Sequence, residues 1–182
     1  MTLLDQVHRL LAAAAVPHAL IGAAALAAHG VARSTFDIDL LTTDARVLRD
    51  DFWASLREEG PSVEVRRGDA DDPLRGVVRV ELADERPVDI VVGRHPWQTR
   101  AVDRAKPLAD APSVVRVRDL VLLKLYAGGA QDLWDVRELL QLPGGSDLAA
   151  EVSADLADLP DRMRELWVRH VLGTEDDRAP RQ

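Results

Sequence analysis

Asp37 and Asp39 stand two residues apart inside an otherwise apolar run, Phe36-Asp37-Ile38-Asp39-Leu40-Leu41, and that run constrains the chain more than any other feature. Ser34 to Leu41 reads as a strand, and side chains two apart on a strand project from one face. Asp37 and Asp39 therefore point the same way, with Phe36, Ile38 and Leu40 on the other face. Aspartate is depleted from strands. Two carboxylates aimed at one point raise each other's pKa unless a cation lies between them. Mg²⁺ is the usual partner of such a pair near a phosphate, held by one or two carboxylates plus substrate oxygens. The alternative is two solvated aspartates on an edge strand.

The residues just upstream supply the complementary half of such a site. His18-Ala19-Leu20-Ile21-Gly22 reads as a buried strand ending at a glycine, and Ala23 to His29 as a short small-residue helix closed by Gly30. A strand, a glycine and a helix start leave backbone N–H groups directed at an anion, and Gly22 permits close approach. Arg33 and Thr35 share the face of Asp37 and Asp39 if the strand starts early. Arg33 then either neutralises phosphate or makes a surface ion pair.

The rest of the pattern is α/β. Leu3, Val7, Leu10, Leu11 and Ala14 recur at helical spacing after Thr2 as N-cap. Thr43 or Asp44 starts a helix with Val47, Leu48, Phe52 and Leu56 inward and Gly60 at its end. Ser62–Arg67, Val77–Leu82 and Val88–Val92 alternate and read as antiparallel strands. Asp89 is the charge inside the most apolar of them. It is either a third carboxylate of the cluster or a solvent-side residue paired with Arg86 or Arg79. Gly93 to Pro112 supports no assignment beyond a short strand at its end. Four helices follow, over Asp119–Tyr126, Asp132–Gln141, Asp147–Leu156 and Pro160–Leu172.

Lysine occurs twice against 21 arginines. Lys124, within Leu120-Val121-Leu122-Leu123-Lys124-Leu125, reads as a compact ammonium seeking an anion such as Asp39 or a triphosphate, or as a snorkelling lysine at the domain edge. Asp132 and Asp135 neighbour each other on their helix. The histidines His29, His95 and His170 are isolated, and no Gly-x-Ser-x-Gly elbow or phosphate-binding Walker loop is present.

Gly22, Asp37-Ile38-Asp39 and Val88-Asp89-Ile90 resemble the DNA polymerase β-like nucleotidyltransferase superfamily: a glycine-led helix start, Asp-x-Asp on a strand, a third carboxylate on a later strand. The texts AAALAAHGVARSTFDIDLL and LVLLKLYAGGAQDLWDVREL look most like the abortive-infection type (AbiEii/AbiGii-like) nucleotidyltransferases, which include toxins of toxin–antitoxin pairs. The resemblance covers roughly residues 1 to 141. It implies an α/β nucleotidyltransferase fold, a small mixed and mostly antiparallel sheet backed by helices, with a helical C-terminal part.

The resemblance further implies that Asp37, Asp39 and Asp89 ligate one or two Mg²⁺ ions and form the catalytic set. Gly22 and the Ala23 N–H would hold the β- and γ-phosphates of an NTP, with Arg33, Thr35 and Lys124 also nucleotide-binding. Lys124 and one of Asp132 or Asp135 fall where such toxins place further functional residues. One departure is Ala23, where the family has glycine or serine. The expected activity is Mg²⁺-dependent transfer of a nucleoside monophosphate to a hydroxyl of RNA or protein, with a cognate antitoxin protein as partner. The alternatives are a small-molecule (aminoglycoside-type) acceptor or a degenerate, non-catalytic binding partner.

Length and charge bound these readings. The chain has 182 residues, a net charge of −8, 47% hydrophobic residues and no cysteine. That suits one core of residues 1–112, a helical part over 113–173 and a flexible tail over 174–182. Thiolate metal sites are excluded. Broad phosphate-backbone binding is disfavoured by the acidic balance, which leaves a local basic patch open. Asp5, His8 and Arg9 interrupt the apolar N-terminus, so it is not read as a signal peptide, and no apolar run reaches the ~18 residues of a membrane span. A cytoplasmic protein without membrane partners is expected.

Overall fold

The computed structural model describes residues 1–109 and 111–173. The chain forms two compact units. The first comprises Met1–Ala28 and Ala32–Arg116, the second His29–Val31 and the chain from Val117 onward. The expected boundary at 112/113 falls inside a strand of the first unit, and the expected tail over 174–182 lies outside the described residues.

The first unit is a mixed sheet of seven strands with helices. Helix α1 (Leu3–Ala13) opens on a capping box, in which the Thr2 side chain accepts from the Asp5 N–H while the Asp5 carboxylate accepts from the Thr2 N–H. It buries Leu3, Val7 and Leu11. Strand β1 (Ala19–Leu20) leads into α2 (Gly22–Ala28), then β2 (Ile38–Thr42), α3 (Ala54–Glu58), β3 (Ser62–Arg67), β4 (Gly76–Glu81) and β5 (Val88–Val92). Helix α4 (Pro96–Asp103) and strands β6 (Lys106–Leu108) and β7 (Ala111–Val114) complete the unit.

The strand order is β3-β4-β5-β2-β1-β7-β6. The β2–β5 and β1–β7 pairs are parallel and the others antiparallel. Alternation sets the faces: Val78 and Val80 of β4, Val88, Ile90 and Val92 of β5 and Leu40 of β2 are buried. The alternating positions put Arg79, Glu81, Asp89 and Asp39 on the opposite face, beside Val77 and Val91.

Three expectations are corrected. The strand expected from Ser34 begins only at Ile38. The Ile38 N–H donates to the Pro87 carbonyl at 2.9 Å, and Pro87, which has no N–H of its own, precedes the first ladder residue of β5. The Thr35 hydroxyl is turned to Asp37 instead, a local bond that competes with strand pairing. Phe36, expected on the strand face opposite Asp37 and Asp39, lies outside the strand and is 76% exposed.

The helix expected between Asp44 and Gly60 is broken into 3-10 turns over Ala45–Leu48 and Asp50–Trp53 before α3, because Arg49 is extended (φ −87°, ψ 133°). Trp53 rather than Phe52 is therefore the fully buried aromatic, its indole N–H donating to the Val47 carbonyl at 2.7 Å. The stretch left unassigned holds α4, which starts at Pro96. The Gln98 carboxamide oxygen accepts from the Arg94 and His95 N–H groups at 2.8 and 2.9 Å ahead of it.

The second unit is helical: α5 (Val117–Ala127), α6 (Ala130–Leu140), α7 (Gly145–Asp155) and α8 (Asp161–His170). It buries Leu120, Val121, Leu125, Val136, Leu139, Val152, Met163 and Trp167. The Trp167 indole N–H donates to Ser153 Oγ at 3.0 Å, and Arg118 pairs with Asp155 at 3.1 Å. Among the described residues no helix is long and apolar enough to cross a membrane.

Candidate functional site

The polar face of the first unit's sheet carries a charged row. In register across four strands stand Glu64 on β3, Arg79 on β4, Asp89 on β5 and Asp39 on β2. Asp39 and Asp89 are direct partners on parallel neighbours, so their side chains leave the sheet together. Asp37 lies one residue ahead of β2. Its carboxylate accepts from the Thr35 hydroxyl at 2.8 Å, and its backbone carbonyl accepts from Arg86 Nη2 at 3.0 Å.

Gly22 closes the Asp39 end of the row. It has φ +58°, the left-handed region, and a Cβ there would fall inside the Asp39 carboxylate, 2.8 Å from its Cγ. The Ile21 N–H donates to the Asp39 backbone carbonyl at 3.0 Å, which ties the start of α2 to β2. Glycine is thus required twice, by the dihedral and by the carboxylate packed against it.

Arg79 stands inside the row, between Glu64 and Asp89. Its Nη1 donates to Asp89 Oδ2 at 2.8 Å and lies 4.0 Å from Asp37 Oδ2, while its Nε donates to Glu81 Oε1 at 2.8 Å. Glu64 is bound by Arg66 at 2.8 Å. Burial pushes the Asp89 carboxyl above its ordinary value; the Arg79 guanidinium pulls it back and Asp37 adds to the rise. The Arg79 guanidinium is held above its usual value first by its bond to Glu81. Asp89 Oδ1 is buried with no hydrogen-bond partner.

Those features decide how a divalent cation fits. Asp39 and Asp89, side by side with an unsatisfied buried oxygen on Asp89, suit one such ion. The interval between Asp37 and Asp89 is already taken by a guanidinium. Among the described residues no group of three or more His, Cys, Asp or Glu side chains stands at metal-holding spacing.

Solved nucleotidyltransferase structures resemble this chain in outline. A protein from H. pylori, whose assignment as a nucleotidyltransferase is provisional, matches at a TM-score of 0.47 and 16% identity over 92% of this chain and 80% of its own. The structure of ANT(2")-Ia in complex with adenylyl-2"-tobramycin matches at 0.45 and 16%, over 94% of this chain and 98% of its own. An antigenic nucleotidyltransferase-like protein from Paracoccidioides brasiliensis matches at 0.45 and 14%, over 88% and 90%. At these identities and scores nothing about this chain's chemistry follows from the matches. No family model and no curated protein matches the chain.

Of the other residues singled out by sequence, Ala23 follows Gly22 at the start of α2 and is buried, and Arg33 lies half-buried in the segment before β2. Lys124 belongs to the second unit. Its ammonium is 2.8 Å from both Asp132 Oδ1 and Asp135 Oδ2. Asp135 is fully buried and also accepts from Gln131 Nε2 at 3.2 Å, while Asp132 accepts from the Gly129 N–H at 3.3 Å ahead of α6. Lys124, expected to seek an anion such as Asp39 or a triphosphate, is paired instead with these two aspartates of α6. The alternation of Val77–Leu82 places Arg79 on the polar face; its alignment with Asp89 depends on the hairpin register.

Proposed function

We propose that this protein is a nucleotidyltransferase that uses the sheet face of Asp37, Asp39 and Asp89 to move a nucleoside monophosphate from an NTP to a hydroxyl. The observation that carries the reading is the in-register pair Asp39–Asp89, with Gly22 packed against one carboxylate and a buried, unsatisfied oxygen on the other. Asp39 and Asp89 would hold the metal, with Gly22 and the Ala23 N–H beside the phosphates. A divalent cation such as Mg²⁺ would there neutralise charge on the transferred phosphoryl group.

The chain's own residues position the rest. The acceptor hydroxyl oxygen attacks the α-phosphorus, the bond from that phosphorus to the bridging oxygen breaks, pyrophosphate leaves, and the hydroxyl proton passes to Asp89. Positioning and charge stabilisation account for most of the acceleration in such transfers.

The charge of the face bears on the acceptor. Asp37, Asp39, Glu64, Glu81 and Asp89 set five carboxylates against the guanidinium groups of Arg66 and Arg79, both paired to those carboxylates, and of Arg86, which bonds the Asp37 backbone carbonyl. The NTP meets this surface with a divalent cation against its phosphates; an acceptor without one is repelled if it is a polyanion and attracted if it is a cation. The acceptor is accordingly a cationic small molecule, an aminoglycoside or polyamine alcohol, rather than RNA.

The test is label transfer from each α-³²P NTP, with Mg²⁺, into three pools: aminoglycosides and hydroxylated amines, total RNA, and protein extract. Label in the first pool is expected. Label in RNA or protein instead would make the acceptor a macromolecule, as for a toxin. No transfer to any pool would favour the non-catalytic alternative.

A further inference from the structure

Arg79 carries an inference that rests on the proposed reading and concerns how the site is regulated. Its guanidinium is gripped at both ends, by Asp89 at 2.8 Å and by Glu81 at 2.8 Å, and it stands 4.0 Å from Asp37. One Asp89 oxygen is thereby committed to a cation supplied by the chain itself, while the other, Oδ1, is buried and unsatisfied. A carboxylate cannot offer its full charge to an external cation while an arginine is bonded to one of its two oxygens.

We infer that Arg79 is the resting counter-ion of this face, and that a divalent cation binds Asp89 fully only as Arg79 leaves it. The protein then holds metal weakly alone. Glu81 and Glu64 lie on the same face, with Glu81 already bonded to Arg79 and Glu64 opposite it in the β3–β4 register, so that the displaced guanidinium has anionic neighbours. A substrate phosphate offers the same guanidinium a bidentate partner. An anionic nucleotide therefore draws Arg79 off Asp89 while delivering the metal, which couples the two binding events. Arg79 acts in this account as a positioning residue: it sets the availability of Asp89.

The experiment is Mn²⁺ binding without nucleotide, followed by electron paramagnetic resonance and calorimetry. Wild type is compared with Arg79→Gln, Arg79→Lys, Arg66→Gln and Asp39→Asn, each first checked for a cooperative urea transition. Arg79→Gln is expected to bind Mn²⁺ about tenfold more tightly, since a full charge leaves the ligand's side while solvent screening limits the gain. Arg79→Lys is expected to return the affinity towards wild type. Arg66→Gln, which touches Glu64 rather than Asp89, is expected to change it by no more than about twofold.

A second readout needs no fold-threatening change. In wild type the Arg79 Nε–H resonance, assigned by its loss in Arg79→Lys, should shift saturably as Mg²⁺ is added. Equal Mn²⁺ affinity in wild type and Arg79→Gln, with Asp39→Asn still weakening it, overturns the role of Arg79 and leaves the metal site standing. A resonance unmoved at saturating Mg²⁺ overturns it likewise. Absence of any Asp39-dependent Mn²⁺ binding in all variants overturns both this inference and the metal-dependent reading beneath it.

Discussion

The carboxylate of Asp39 occupies the space that a side chain on Gly22 would need. A Cβ there would stand 2.8 Å from the Asp39 Cγ and closer still to Oδ2, at a φ of +58°. Gly22→Ala must therefore bear left-handed strain and move the carboxylate, at a cost of about 1–3 kcal/mol. The urea midpoint should fall accordingly, and the stabilisation by Mg²⁺ plus NTP should vanish with it. A Gly22→Ala protein of wild-type stability would mean that Asp39 is not packed against residue 22.

Lys124 should behave as a structural cation. Lys124→Met leaves the fully buried Asp135 without its ammonium, and breaking a buried pair from one side costs about 3–5 kcal/mol. Adding Asp135→Leu should recover most of the loss in urea denaturation. A loss below about 1 kcal/mol for Lys124→Met alone would contradict a holding role for the ammonium.

How much of this was legible in the sequence follows from where each constraint lives. Alternation placed the strands Ser62–Arg67 and Val88–Val92 at their observed limits, because their period-2 pattern is local. The start of β2 was not legible, because it is set by Pro87, just ahead of the partner strand. The break at Arg49 hides in a run of helix-compatible residues. Helix α4 is short, and its buried Trp97, Ala101 and Val102 are too few to declare a period. At the site, Gly22, Asp37, Asp39 and Asp89 could be singled out by residue type. Arg79 is one of the two arginines that the sequence offers as partner of Asp89, and it is the one that bonds it; its preference over Arg86 and its place beside Asp37 need the β4–β5 register, which no local pattern states.

Phe36 gives a sharp control on that correction. It is 76% exposed ahead of β2, so Phe36→Ser should change stability by no more than about 0.5 kcal/mol. A loss of several times that size would place Phe36 in the core and extend β2 upstream.

The first unit also carries a pH response. His18 Nδ1 lies 2.7 Å from the Val16 carbonyl, so it carries a proton and donates, and His18 Nε2 then accepts from His8 Nδ1 at 2.7 Å. Burial pushes the His18 pKa below the ordinary 6.5; the bond to Val16 opposes the shift and His8 adds to it. The unfolded chain therefore binds the proton more readily. The stability this group contributes is present above pH 6.5 and is lost as pH falls from there through the lowered folded value. Melting temperature should drop between pH 7.5 and 5.5 more steeply in wild type than in His18→Asn, which keeps a donor for Val16. Parallel curves for the two proteins would contradict the assignment.

The central claim is that Asp39 and Asp89 hold a metal–nucleotide complex. The direct measurement is melting temperature with and without Mg²⁺ and each of the four NTPs, in wild type and in Asp39→Asn. The asparagine keeps the shape and removes one negative charge, so the mutant should fold and should melt near wild type without ligand. Ligand at a hundred times its Kd stabilises by about 2.7 kcal/mol, a rise of roughly 5–10 °C for a chain of this size. The account predicts that rise in wild type with Mg²⁺ and at least one NTP together, and none in Asp39→Asn. A wild-type protein whose melting temperature moves with none of the four, or a mutant that rises as much as wild type, would contradict it.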